Sequence, residues 1–243
     1  MKKLLIFAVM AAMGLSAQAQ LMRSTTFYEK ERVPATWYLR AGMSVNNVAE
    51  ANTFSEETDG SIGSKLGYDI AIGFQKSIKD KGFYWGMEFG LGTGGAKNEM
   101  ETESSYVYKQ SYVAHNIKLT PLLFGYKYAF SDVMSLDVHL GAFAQFAYAG
   151  KYNVSGSHDD EEWSEDYGVD DALDTRFDAG IQAGVGVWFS RFNIDLTYQR
   201  GFVPIDPTMF NEVYRPGSYS SLSWWSNCDG KSSNLILRVG VSF

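Results

Sequence analysis

Eight stretches of this chain alternate apolar residues with small or polar ones, and that period of two restricts the fold more than any other feature. The last stretch, Asn234 to Phe243, shows it most plainly. Leu235, Leu237, Val239, Val241 and Phe243 fall on one face, and Asn234, Ile236, Arg238, Gly240 and Ser242 on the other. The earlier stretches lie at about Thr36–Asn46, Leu66–Lys76, Phe83–Gly94, Ser111–Phe130, Ser135–Ala149, Thr175–Phe189 and Phe192–Gly201. A tilted membrane-spanning strand requires roughly 9–11 residues. The connections between the stretches run long, short, long, short, long, short, long. Outer-membrane barrels combine short periplasmic turns with long outer loops. The pattern predicts an all-β fold: an eight-stranded antiparallel transmembrane β-barrel over residues 36–243, with long outer loops and short periplasmic turns.

The chain opens with MKKLLIFAVMAAMGLSAQAQ. Lys2 and Lys3, an apolar run to Leu15 and Ala17-Gln18-Ala19 make a secretory signal peptide over residues 1–19. Residues 20–35 are polar and read as a periplasmic N-terminal tail. Loss of Lys2 and Lys3 with the leader takes the formal charge from -7 to -9. That acidity argues against nucleic acid as a partner. Cys228 is the only cysteine, so no intrachain disulfide can form.

The polar face is rich in glycine and charge, which suits a narrow lumen better than a solvated outer surface. The apolar face therefore points to lipid. Aromatics gather at stretch ends, with Trp37, Phe83, Trp85, Tyr126, Tyr128, Phe130, Phe189 and Phe192 on the periplasmic side and Tyr148 and Tyr198 on the outer side. This is the girdle pattern. The lumen then holds Arg40, Arg176 and Arg238 against Asp69, Glu88, Asp137, Asp178 and Asp195. Eight strands enclose just enough room for side chains, and buried charges must pair, so a salt-bridged plug is expected. In the fourth stretch Leu122, Phe124, Tyr126, Tyr128 and Phe130 share a face, while Ile117, Leu119 and Leu123 share the other. A bulge near Pro121 reconciles them, because proline cannot donate to the ladder.

The segments LTPLLFGYKYAF (Leu119 to Phe130), LDVHLGAFAQFAYAGKY (Leu136 to Tyr152), RFDAGIQAGVGVWF (Arg176 to Phe189), DLTYQRGF (Asp195 to Phe202) and the closing stretch resemble the small outer-membrane β-barrel families of Bacteroidetes-type bacteria, including PorT-like proteins. The resemblance implies the outer membrane as location, its lipids and lipopolysaccharide as surroundings, and the barrel-assembly machinery as the reader of the aromatic C-terminal residue. Some members of that group take part in secretion, so the resemblance also implies an envelope protein partner.

Other constellations carry less. Gly90, Gly92 and Gly95 spell G-x-G-x-x-G, but no helix pattern follows and the glycines continue the alternation. His115, His139 and His158 show no H-E-x-x-H spacing. Ser111 lies four residues from His115, roughly 13 Å along a strand, which does not make a catalytic pair. Asp159, Asp160, Glu161, Glu162, Glu165, Asp166, Asp170 and Asp171 form an acidic loop without calcium-loop spacing. Residues 202–232 hold Tyr214, Tyr219, Trp224 and Trp225, which mark either a partner contact or packing on the barrel rim. The expectation is a non-enzymatic structural or accessory envelope barrel acting through its outer loops, with no cofactor and no metal. A narrow transport or gating barrel and a lipid-modifying enzyme are the alternatives.

Overall fold

The computed structural model describes residues 35–49, 60–78, 82–101, 107–158, 161–168, 175–204 and 231–243. Among these residues nine strands form: β1 (Thr36–Ala49), β2 (Gly60–Ser77), β3 (Phe83–Glu101), β4 (Val107–Ser131), β5 (Met134–His158), β6 (Glu161–Gly168), β7 (Phe177–Phe189), β8 (Phe192–Pro204) and β9 (Lys231–Ser242). All pairings are antiparallel. Eight strands close a ring in the order β1-β2-β3-β4-β5-β7-β8-β9, with β9 returning to β1. Closure leaves the ring without an unpaired edge, as a lipid-bound sheet requires.

The short connections share one end of the barrel. Asp132 and Val133 join β4 to β5, and Ser190 and Arg191 join β7 to β8. Ser190 takes φ 54°, the left-handed conformation that a two-residue hairpin demands. Gly82, at the β2–β3 turn, takes φ 78°. By the barrel rule this end faces the periplasm.

Alternation sorts the side chains as the period predicts. β7 runs exposed and buried in strict turn. Phe89, Leu140, Ile181, Ile194 and Leu237 face outward, whereas Arg40, Asp137, Asp195 and Thr197 are fully buried inside. At Pro121 the register of β4 shifts against both neighbours, between Leu119 and Leu122 on the β5 side and between Gly86 and Glu88 on the β3 side. Ile117 and Leu119 therefore face lipid on the outer side of the bulge, and Leu122 and Phe124 on its periplasmic side. Leu123 does not join the apolar outer set. It is wholly buried in the lumen.

Two expectations change. Strands β2 to β5 run further outward than their apolar alternation does, so parts of the polar segments 47–65 and 95–110 are strand. The acidic segment is not simply a loop: β5 continues to His158 and turns back as β6, which pairs with Lys151–His158. The ring keeps the eight strands expected of it, and among the described residues β6 is an added strand outside the ring. Hydrogen bonds from Asn153 to Ser164 and Asp166 lace this hairpin. Among the described residues no cluster of His, Cys, Asp or Glu gathers as a metal site.

A second irregularity lies between β2 and β3, where the register slips between Ser64 and Asp69. The Thr93 hydroxyl fills the gap in the ladder. Its Oγ1 accepts from the Tyr68 amide at 3.0 Å, and the Asn46 amide reaches it at 3.3 Å. A side chain thus takes the place of a backbone acceptor for the Tyr68 amide.

Candidate functional site

The lumen is the candidate site, and its chemistry begins with three cations. Arg40 on β1 and Arg238 on β9 stand on the two strands that seal the ring. Lys118 comes from β4. Arg40 Nη1 lies 2.9 Å from Glu88 Oε1 and 3.6 Å from Asp195 Oδ2, and its Nη2 lies 3.9 Å from Asp137 Oδ2. Arg238 Nη2 donates to Asp195 at 2.8 Å and to Thr197 at 3.1 Å. Its Nη1 reaches Asp69 at 3.4 Å and Glu88 at 3.5 Å. Lys118 Nζ donates to Asp69 at 2.8 Å and to Gln199 at 3.2 Å.

The two arginines and Glu88 thus form one bridge across the barrel. Asp195 receives both arginines, and Thr197 donates to it at 2.7 Å. His139 Nε2 lies 3.2 Å from the Thr197 hydroxyl, which adds the imidazole to the same network. In a low-dielectric interior, loss of one member of this network would leave a buried charge without its partner.

An aromatic floor closes the periplasmic end. Tyr38 donates to Glu88 at 2.8 Å, Tyr84 to Asp137 at 2.7 Å, and the Trp188 indole to Asp137 at 3.1 Å. The Arg40 guanidinium carbon lies 4.4 Å from the Tyr38 ring centroid. Lys127 Nζ stands 3.9 Å from the Trp188 ring, a cation–π contact at the rim.

Of the residues singled out from sequence, Arg40, Asp69, Glu88, Asp137, Asp195 and Arg238 come together in the centre. Asp178 is buried but stands nearer the outer mouth, where Gln145 donates to it at 2.9 Å and Ser232 also donates. Arg176 precedes β7 and lines the same outer cavity. These two belong to the mouth and not to the central bridge. Tyr214, Tyr219, Trp224 and Trp225 lie outside the described residues. Lys118 and Lys127 are lumen cations absent from the charges singled out by sequence, although Lys127 alternates with the outward Tyr126 and Tyr128. Parity counted from Thr120, once Pro121 is taken as the bulge, would have found Lys118.

Two small cavities lie among the described lumen residues. The outer cavity, lined by Tyr112, Asn116, Gln145 and Asp178 among others, measures about 30 Å³. A second, beside Asp69, Glu88, Lys118 and Arg238, measures about 10 Å³. One water requires roughly 10–15 Å³, so each holds a water or two and neither is a channel.

A family model described as "Outer membrane protein beta-barrel domain" matches residues 18–206. Ail, the attachment invasion locus protein of Yersinia pestis, solved in complex with the heparin analogue sucrose octasulfate, is 15% identical with TM-score 0.35, covering 86% of this chain and 99% of that one. OprG of Pseudomonas aeruginosa is 10% identical with TM-score 0.36, covering 87% and 97%. Neisserial surface protein A is 13% identical with TM-score 0.33, covering 86% and 99%. No curated protein matches the chain.

Proposed function

The chain belongs to the family of outer membrane protein β-barrel domains, and from that membership and its filled lumen we propose that it is a non-enzymatic structural or accessory barrel that acts through its outer surface. Its place is the cell outer membrane. The observation that carries the proposal is the bridge of Arg40, Glu88, Asp195 and Arg238, which crosses the centre of the lumen between cavities of about 30 and 10 Å³ lined by described residues. A barrel filled this way offers contact surface and no path.

The purified protein in planar bilayers should therefore give no stable conductance steps on the scale of a porin. Such steps would overturn the filled-lumen reading and favour narrow transport.

The resemblance to PorT-like barrels supports a role in a secretion or surface assembly. Mild crosslinking in the native outer membrane should then recover an envelope protein in fixed ratio with the barrel. Replacing Trp224 and Trp225 with alanine should abolish that crosslink without unfolding the barrel. Recovery of the barrel alone after exhaustive crosslinking would sink the assembly role.

A further inference from the structure

The outer cavity holds a negative charge that its own hydrogen bonds do not balance. Asp178 on β7 lines that cavity and is 4% exposed. Its Oδ2 accepts from Gln145 Nε2 at 2.9 Å and from the Ser232 hydroxyl, and its Oδ1 accepts from the Val203 amide at 3.4 Å. Each of these donors is neutral. Arg176 lines the same cavity but is not among the partners of Asp178. The central carboxylates differ, for Glu88, Asp69 and Asp195 each meet an arginine. A buried carboxylate is costly without a counter-charge, and neutral hydrogen bonds offset only part of that cost. The group is held in place as well: Asn116 donates to Gln145 Oε1 at 3.3 Å, and Gln145 turns its own amide on Asp178.

A second polar group on the cavity is left over. Asn234 on β9 is 1% exposed, and its Nδ2 has no hydrogen-bond acceptor among the described residues. Asn234 stands two residues from Ser232, which touches Asp178. The idle donor therefore lies roughly 7 Å along the strand from that contact. Ala114 and Ala147 supply an apolar lining nearby. A lone carboxylate balances one positive charge, so a divalent ion, which gathers several oxygens and carboxylates, is a poor fit. Water fills about 30 Å³ but brings no charge. The fitting occupant carries a single positive charge, an oxygen a short distance away, and carbon between the two.

We propose that the outer cavity binds a small vicinal amino alcohol, with its ammonium on Asp178 and its hydroxyl oxygen accepting from Asn234 Nδ2. The two heteroatoms take the places of two waters, and the carbons joining them rest on Ala114 and Ala147. The inference goes beyond a contact role for the outer surface and stands whether or not an envelope partner is found.

Ligand-observed NMR titration of the full-length barrel in uncharged detergent at neutral pH tests it, with ethanolamine as the probe. Ethanolamine should bind at least about tenfold more tightly than ethylene glycol, the worth of a hydrogen bond to a charged group. Ethylamine, which lacks the oxygen, should bind about two- to tenfold more weakly than ethanolamine. Asp178→Asn should weaken ethanolamine by about tenfold or more and leave ethylene glycol as it was. Asp166→Asn, on β6 outside the ring, should change neither. The comparison of the three ligands on unaltered barrel holds even if the Asp178 variant fails to assemble. No binding of ethanolamine, equal binding of ethanolamine and either analogue, undiminished binding by Asp178→Asn, equal loss on Asp166→Asn, or displacement by potassium at the same concentration would each overturn the proposal.

Discussion

Replacing Arg238 with leucine should cost about 3–5 kcal/mol of unfolding free energy, the range for a buried ion pair that loses one member. Arg238 is only 2% exposed and serves Asp195, Asp69, Glu88 and Thr197 together. Leucine fills part of the volume and satisfies none of those acceptors. The three carboxylates would then face Arg40 and Lys118 alone. Lysine at 238 keeps the charge but cannot fork between Asp195 and Glu88, so it should fall between wild type and leucine. The double variant R238L/D195L should recover part of the loss, because it removes an unpaired charge along with its partner. Urea titration followed by tryptophan fluorescence measures all three. A leucine variant as stable as wild type would mean that the bridge contributes nothing to holding the barrel.

The second large effect is expected at the seam. Gly42 lies on β1 between Asp69 on β2 and Arg238 on β9. A Cβ there would meet the Leu237 carbonyl oxygen at 1.9 Å and the Arg238 Cα at 2.7 Å. Both are backbone atoms, so β1 and β9 would have to part. Gly42→Ala should therefore cost about 1–3 kcal/mol and lower the fraction of barrel that resists SDS without heating. Gly94→Ala is the control, since its Cβ meets only the Asn116 side-chain nitrogen at 3.1 Å, which can swing away. Equal behaviour of the two variants would show that the seam tolerates spreading.

The ring itself was legible because lipid and lumen impose opposite demands on successive residues. Leu235 to Phe243 could hardly be read another way. What the pattern lost, it lost where one demand lapses. Lys97 to Glu101 and Val107 to Ser111 carry no apolar alternation and resemble loop in sequence, though they pair as strand. Strand β6, EEWSEDYG, is acidic and has little intrinsic preference for extended structure. Its pairing comes from β5, with Trp163 lying opposite Gly156. Sequence also gives a side chain's face more readily than its height. Asp178 and Asp195 both point inward, but one sits at the mouth beside Gln145 and the other between two arginines.

Closure of β1 on β9 sets the order of events in the life of the chain. The contact between Arg238 and Asp69 spans 169 residues, and that between Arg238 and Glu88 spans 150. A chain exported from its N-terminus delivers Asp69 and Glu88 early and Arg238 almost last. Until β9 arrives, those carboxylates lack one of their cations and are best kept in water. Stepwise burial of a partial sheet would strand them in hydrocarbon. Drying of the lumen and sealing of the wall are thus one late event, and such distant contacts make it slow. The chain is committed to staying hydrated and held until its final residues are in place.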